Sequence, residues 1–282
     1  MTTTGLSPDT DADIARVTEA LGMITPRWTV RIILALSGRP QRYTDLAVKL
    51  PWLQSGQLHP KVRSLCDSGL VERVEHSPRH VTYGLTGRGT DLLPVLPLIA
   101  GWADRFLEKP DTPTSAIENI EDSLTLLTRR HATTILWVLK SRQETSARAL
   151  ASIVIPDGYW TSIYPPLRQL VDDGLVTTAG AGQPYRLSEA GDGLGGVFGA
   201  LSAWSAGRPL THTSQHPVWG HTDHSVRTGP QTQAAPHSRR PAPMTTAPAR
   251  SAHHPAWQNR DLFSHTAPSR PKAALTAGGP GR

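Results

Sequence analysis

The chain has a single cysteine, Cys66, which rules out an internal disulfide and fits a reducing, cytoplasmic setting. It has no run of about 18 apolar residues, so neither a membrane-spanning helix nor a membrane partner is expected. Its first residues, MTTTGLSPDTDAD, are polar and acidic, without the basic-then-apolar order of a signal peptide. Three catalytic signatures are also missing: a phosphate loop ending Gly-Lys-Thr/Ser, a His-Glu-x-x-His helix and a cysteine cluster. The reading is of a protein that is not an enzyme and has no cofactor and no metal site.

What is present is basic charge, unevenly spread. The net charge is +6 with a pI near 9.8, which permits a polyanionic partner. Residues 14–108 hold 12 Lys+Arg against 8 Asp+Glu, a net of +4, and residues 118–206 hold 7 against 9, a net of −2. Residues 207–282 hold 9 against 2, a net of +7, so a slightly acidic middle lies between two basic segments.

The stretch from Gln54 to Tyr83, QSGQLHPKVRSLCDSGLVERVEHSPRHVTY, carries the most information. Ser55 and Gly56 suit a helix start, and Leu58, Val62 and Leu65 recur at helical spacing while His59, Lys61, Arg63 and Ser64 face elsewhere. Gly69 ends the helix where positive φ is wanted. Leu70–Val74 and Val81–Tyr83 read as paired short strands, with His76–His80 as the hairpin tip. A helix with a polar and basic outer face followed by a basic hairpin has the sizes that suit a major groove and its flanking backbone. The competing reading is an ordinary solvated helix and hairpin.

Around this stretch the chain divides readily. Residues 1–12 read as disordered, with Asp13 capping a first helix over Ile14–Gly22. Pro26 opens a second helix that stops at Ser37-Gly38, and Tyr43–Leu50 forms a short third one, so the third and fourth helices make a helix-turn-helix. Pro60 is awkward inside a helix, and predicts one that starts properly near His59. Thr86 caps the helix after the hairpin, and Pro94 and Pro97 predict a kink or late start in an apolar segment that runs to Phe106. That segment is apolar on more than one side, so it needs a partner beyond its own domain.

A second copy lies in the same chain. Ile24-Thr25-Pro26-Arg27-Trp28 is echoed by Leu127-Thr128-Arg129-Arg130-His131, and Lys61–Val71 by Pro166–Val176. Tyr83, Leu85, Thr86, Gly89 and Trp102 find counterparts in Tyr185, Leu187, Ser188, Gly191 and Trp204. The fold class is thus mainly α with small β-wings (α+β): two tandem winged helix-turn-helix domains plus a disordered C-terminal tail. The divisions are 1–12, a first domain over 13–108, a Pro/Thr-rich linker over 109–116, a second domain over 117–206 and a basic Pro/His/Ala-rich tail over 207–282.

The first copy resembles a known family. The order RWTVRIILALSGRPQRYTDLAVKLP, KVRSLCDSGLVER, a wing, then YGLTGRGTDLLPVL and a Trp is similar to the HxlR-type winged helix-turn-helix regulators, over roughly Ala20 to Phe106. The pairs His59-Pro60 and Tyr164-Pro165, at equivalent places in the two copies, also resemble the related PadR-type regulators, within a MarR/PadR-like superfamily. The resemblance implies a bacterial, cytoplasmic transcription regulator that binds double-stranded DNA and dimerises through its terminal helices. The chain departs from the pattern in having two units, in lacking a cysteine ahead of the first core helix, and in a second wing, Thr177–Gln183, without charge.

Within the first unit, Ser55, Gln57 and His59 are the candidates for base edges. Lys61, Arg63, Arg79 and His80 are candidates for phosphate, and Arg42 and Tyr43 for flanking backbone. Arg63 has a second reading as half of an intra-domain ion pair, because Arg168 holds the same place in the second unit. Trp28, Trp102 and Trp204 read as core or interface, and Cys66 as a small buried residue. The eight histidines of the tail read as solvated rather than metal-binding, and its charge as solvation or a loose DNA-holding arm. The expected function is sequence-specific DNA binding to control transcription, by a homodimer or by a pseudo-dimer within one chain, with no effector identified. The alternative is a winged-helix interaction or ligand-sensing module whose second domain docks a partner.

Overall fold

Entry into the fold is set by Ser7 and Pro8. The Ser7 hydroxyl accepts from the Thr10 N–H and Pro8 takes the first helical position, so helix α1 runs Pro8–Ile24. In this computed structural model, which describes residues 6–108 and 115–220, the helix therefore starts ahead of the expected Ile14. Asp13 is not its cap but a buried mid-helix residue, and residues 8–12 are helical. Helix α2, Thr29–Leu36, starts later than Pro26 suggested because Trp28 stands in the left-handed region (φ 77°), which no continuous helix allows. Every residue of α2 except Arg31 is buried.

The short strand β1 (Gln41–Arg42) leads into α3 (Tyr43–Lys49), and α4 comes next over Ser55–Asp67 with Gln54, not Ser55, at its N-cap. Pro60 lies inside α4, which corrects the expectation of a start near His59; the residue four back, whose carbonyl the ring crowds, is Gly56. Gly69 (φ 71°) closes the helix: Gly69 N–H donates to the Cys66 carbonyl and Leu70 N–H to that of Leu65. Strands β2 (Val71–Ser77) and β3 (His80–Leu85) run further than expected, so His76 and His80 are strand residues and only Pro78 and Arg79 form the turn. The antiparallel sheet has the order β1-β3-β2, with Arg42 opposite Thr82 and Val74 opposite Thr82 from the other side. Thr86 caps α5 (Gly87–Leu92), as expected. The two prolines split the apolar segment beyond it into a 3-10 turn at Leu93–Val95 and α6 over Leu96–Phe106.

Residues 115–205 follow the same order of elements. Helix α7 is Ala116–Leu127, started by a capping box of Ser115 and Glu118, and α8 is Ala132–Arg142, preceded by His131 at φ 62°. Strand β4 (Glu144–Thr145), α9 (Ala147–Val154), a 3-10 turn at Trp160–Ile163 and α10 (Tyr164–Asp172) come next. Strands β5 (Val176–Thr178) and β6 (Tyr185–Leu187) join β4 in a sheet of order β4-β6-β5, and α11 (Glu189–Asp192) and α12 (Gly195–Ser205) complete the repeat. Gly174 (φ 70°) closes α10 as Gly69 closes α4, with Leu175 N–H on the Leu170 carbonyl. Pro165 lies in the first turn of α10, where a missing N–H leaves no helical bond unmade.

The two halves share their core. Helix α1 packs on α12 and α8 of the second half, while α7 packs on α6 and α2 of the first. Arg31 on α2 holds Glu121 on α7 through Nε and Nη2 at 3.1 and 3.0 Å. The Trp102 indole donates to the Ala190 carbonyl at 2.9 Å, and that of Trp204 to the Arg88 carbonyl at 2.9 Å.

The tail expected from Gly207 onward begins later than its composition suggests. Residues 207–220 lie over α12: a 3-10 turn at Leu210–Gln215 places Thr213 against Gly199, where a Cβ has no room. Trp219 is buried against Phe198 and Trp137, with ring centroids 4.9 and 5.4 Å away. Few aliphatic residues lie here, but one tryptophan buries about 150–250 Å² and supplies the missing apolar surface. Residues 1–5, 109–114 and 221–282, including most of the expected linker and tail, lie outside the described residues.

Candidate nucleic-acid interface

Helix α4 is built to present one face. Leu58, Val62 and Leu65 are buried, and Gly56, Gln57, His59, Pro60, Arg63, Ser64 and Asp67 are exposed. Leu53 is buried and anchors the connection from α3, and Lys49 donates to the Ala35 carbonyl at 3.1 Å, tying α3 to the end of α2. These contacts fix the angle at which α4 meets solvent. At 100° per residue, Gln57, Lys61 and Ser64 fall on one flank of α4 and His59 and Arg63 on the other.

On the His59 flank, the Tyr43 ring lies 6.3 Å from the His59 ring, and Arg42 is exposed beside it at the edge of the sheet. Arg42, Tyr43, His59 and Arg63 thus belong to one side of the structure. Arg63 is exposed and makes no ion pair among the described residues, so the intra-domain pair is not found there. Arg79 is exposed at the tip of the hairpin; behind it the His76 and His80 rings are 4.8 Å apart, and His76 Nε2 is 3.0 Å from the Thr82 hydroxyl.

On the other flank, Lys61 donates to the Arg27 carbonyl at 3.2 Å and is half-buried. This brings Arg27 and Trp28 next to the helix. The left-handed residue that makes the turn possible has no signature in the helical pattern, so Arg27 is absent from the expected site residues. Ser55 opens α4, as its position in the sequence suggested. Cys66 is half-buried; burial and then the nearby Asp67 push its thiol up, which keeps it in the unreactive protonated form.

The matching surface of the second half differs in chemistry. Tyr159, Trp160 and Tyr164 are exposed there, with the Trp160 and Tyr164 rings edge to face at 5.8 Å, beside exposed Arg168 and Gln169. Its hairpin has strands of only three residues, and Thr177–Gln183 carry no charge.

One buried polar cluster has the residue types of a nucleophilic relay. The Ser202 hydroxyl and His216 Nε2 meet Asp13 at 2.7 and 2.6 Å, so serine and histidine both serve the carboxylate instead of each other. His216 Nδ1 accepts from the Val218 and Trp219 N–H groups, leaving no lone pair to take a proton from Ser202. The cluster fastens the end of the described chain to α1. No helix among the described residues is long and apolar enough to cross a membrane.

Comparison with known proteins agrees with this geometry. The model of the HxlR-like helix-turn-helix matches residues 23–111, which include α2 to α6. The HTH-type transcriptional regulator YodB of Bacillus subtilis is 30% identical over 99 residues, covering 34% of this chain and 88% of that protein. The uncharacterized HTH-type transcriptional regulator YvaP of the same organism is 28% identical over 95 residues, covering 33% and 88%. Rv3095 of Mycobacterium tuberculosis, also named an uncharacterized HTH-type transcriptional regulator, is 31% identical over 99 residues, covering 34% and 62%. No solved structure gives a significant match. With α3, α4 and the β2–β3 hairpin arranged as a winged helix within the matched residues, the chain belongs to the HxlR-like helix-turn-helix family.

Proposed function

We propose that the chain is a sequence-specific regulator of transcription that reads double-stranded DNA with α4 and the β2–β3 wing. The observation that carries this reading is the exposed polar face of α4, flanked by the uncompensated cations Arg63 and Arg79, within a family of named transcriptional regulators. In this reading Gln57 and His59, near the front of α4, meet base edges, where a Gln amide matches adenine. Arg42, Arg63, Arg79 and His80 then hold phosphates, which position the helix without reading sequence.

The second half, in this reading, is a degenerate winged helix from a tandem duplication, and the two halves form a pseudo-dimer within one chain. The reciprocal bonds Trp102 to Ala190 and Trp204 to Arg88 support it, since both pairs are related by the same shift along the chain, as expected of a two-fold contact. Aromatic residues and an uncharged wing stand where the first half has polar and basic ones, so the first half is the reader. The names of the relatives favour a regulator over an interaction module.

The test is an anisotropy titration of the full chain against duplex from upstream of its own gene and against genomic fragments selected for binding. Tight binding that weakens steeply with salt and on Arg79→Ala is the expected result. No selected fragment bound above random duplex would overturn the reading.

A further inference from the structure

Two guanidinium groups lie over the Trp28 ring, Arg27 at 5.0 Å and Arg31 at 5.1 Å from its centroid. Arg31 is neutralised by Glu121 on α7. Arg27 is exposed and has no carboxylate partner among the described residues, so its charge is available and its side chain is already ordered on an aromatic face. Trp28 stands at φ 77°, as its counterpart His131 does at φ 62°, and this left-handed turn is what sets Arg27 beside α4. The bond from Lys61 to the Arg27 carbonyl holds this turn against α4 and leaves two of the three ammonium hydrogens free. Gln57, Lys61 and Ser64 face Arg27 and Trp28 across an open cleft of about 770 Å³.

We propose that this cleft is a niche for a backbone phosphate of duplex DNA, with Arg27 as its main cation and Lys61 and Ser64 as supporting donors. The inference rests on the DNA-binding reading of α4. A helix in the major groove has a phosphate strand along each side. Arg42 and Arg63 lie on the His59 side of α4, and the Arg27 niche supplies the opposite strand. The contact is with phosphate and not with a base, so its loss weakens binding to all sequences alike.

The full chain is titrated against a mixed-sequence duplex and against its best selected fragment, over a series of salt concentrations. Arg27→Ala is expected to weaken both by about five- to tenfold and to lower the salt slope by about 1. Arg27→Lys keeps most of the slope, and Arg27→Gln, of similar length without charge, loses it as Ala does. The basic tail is common to all variants and cancels in the comparison. If Ala lowers the thermal midpoint, the Gln and Lys pair decides, since the two differ in charge at similar size. Unchanged affinity and slope in Arg27→Gln, with a wild type that binds in a salt-dependent way, overturns the niche alone. A wild type that binds no duplex overturns the DNA reading and the niche together.

Discussion

The Trp102 indole N–H is bonded to the carbonyl of Ala190, and both partners are part of a seam that crosses from one half of the chain to the other. Trp204 makes the reverse bond to Arg88, whose guanidinium also lies 5.2 Å from the Trp204 ring. Both rings are buried, so loss of either donor leaves a carbonyl without its partner. Trp102→Phe and Trp204→Phe are each expected to destabilise the chain by about 2 kcal/mol in urea unfolding. A cost for one and none for the other would mean that the seam is not reciprocal in energy.

Trp219 anchors the end of the described chain on Phe198 and Trp137. Trp219→Ala is expected to cost about 3–5 kcal/mol, in the range for removing a buried aromatic side chain. Guanidinium unfolding of the full chain measures this. A loss below about 1 kcal/mol would place residues 207–220 off the core in solution.

Asp13 makes stability depend on pH. Burial pushes its carboxyl up, but the bonds from His216, Ser202 and Arg16 outweigh burial and hold it below the ordinary carboxylate value. A carboxylate lowered on folding contributes stability above its unfolded pKa, and loses it as pH falls through the folded pKa. The difference in thermal midpoint between wild type and Asp13→Asn should therefore be full at about pH 5–7 and shrink below about pH 4. A difference that stays constant down to about pH 2 would show that the charge of Asp13 contributes nothing.

The proposed function gives the wing and the front of α4 two different kinds of contact. Arg79→Ala is expected to weaken binding to all duplexes by about three- to tenfold, with a salt slope lower by about 1. Gln57→Ala is expected to leave the slope alone and change which fragments are selected, at about 1–3 kcal/mol of lost discrimination. Selection in parallel on both variants measures this, and identical fragment sets from wild type and Gln57→Ala would remove Gln57 from the readout.

Residues 1–108 alone carry α1 and also the surface of α2 and α6 that α7 covers. Two such fragments can exchange their first helices, so the fragment is expected to sediment as a homodimer. A folded monomer would contradict the shared core.

Helix α4 and the hairpin after it are legible in the sequence because their signals are local. Leu58, Val62 and Leu65 repeat at helical spacing, Gly69 supplies a positive φ, and Thr86 caps the next helix. The start of α1 is written locally in Ser7-Pro8, but Asp13 competes as a cap, and only its partners Ser202 and His216, 189 and 203 residues away, make it a buried mid-helix residue. Arg27 stays hidden because its position depends on the left-handed Trp28 and on a bond from Lys61, 34 residues on. The composition of the last segment gives Trp219 no weight, although that one side chain fills a gap in the core.

The crossed packing of α1 and α7 bears on what each half is free to lose. Here α7 is also a wall of the first half's core, and Glu121 on it neutralises Arg31 beside the Arg27 turn. Changes on the surface around Trp160 or in the uncharged hairpin therefore leave the first half's core intact, whereas changes inside α7 reach it.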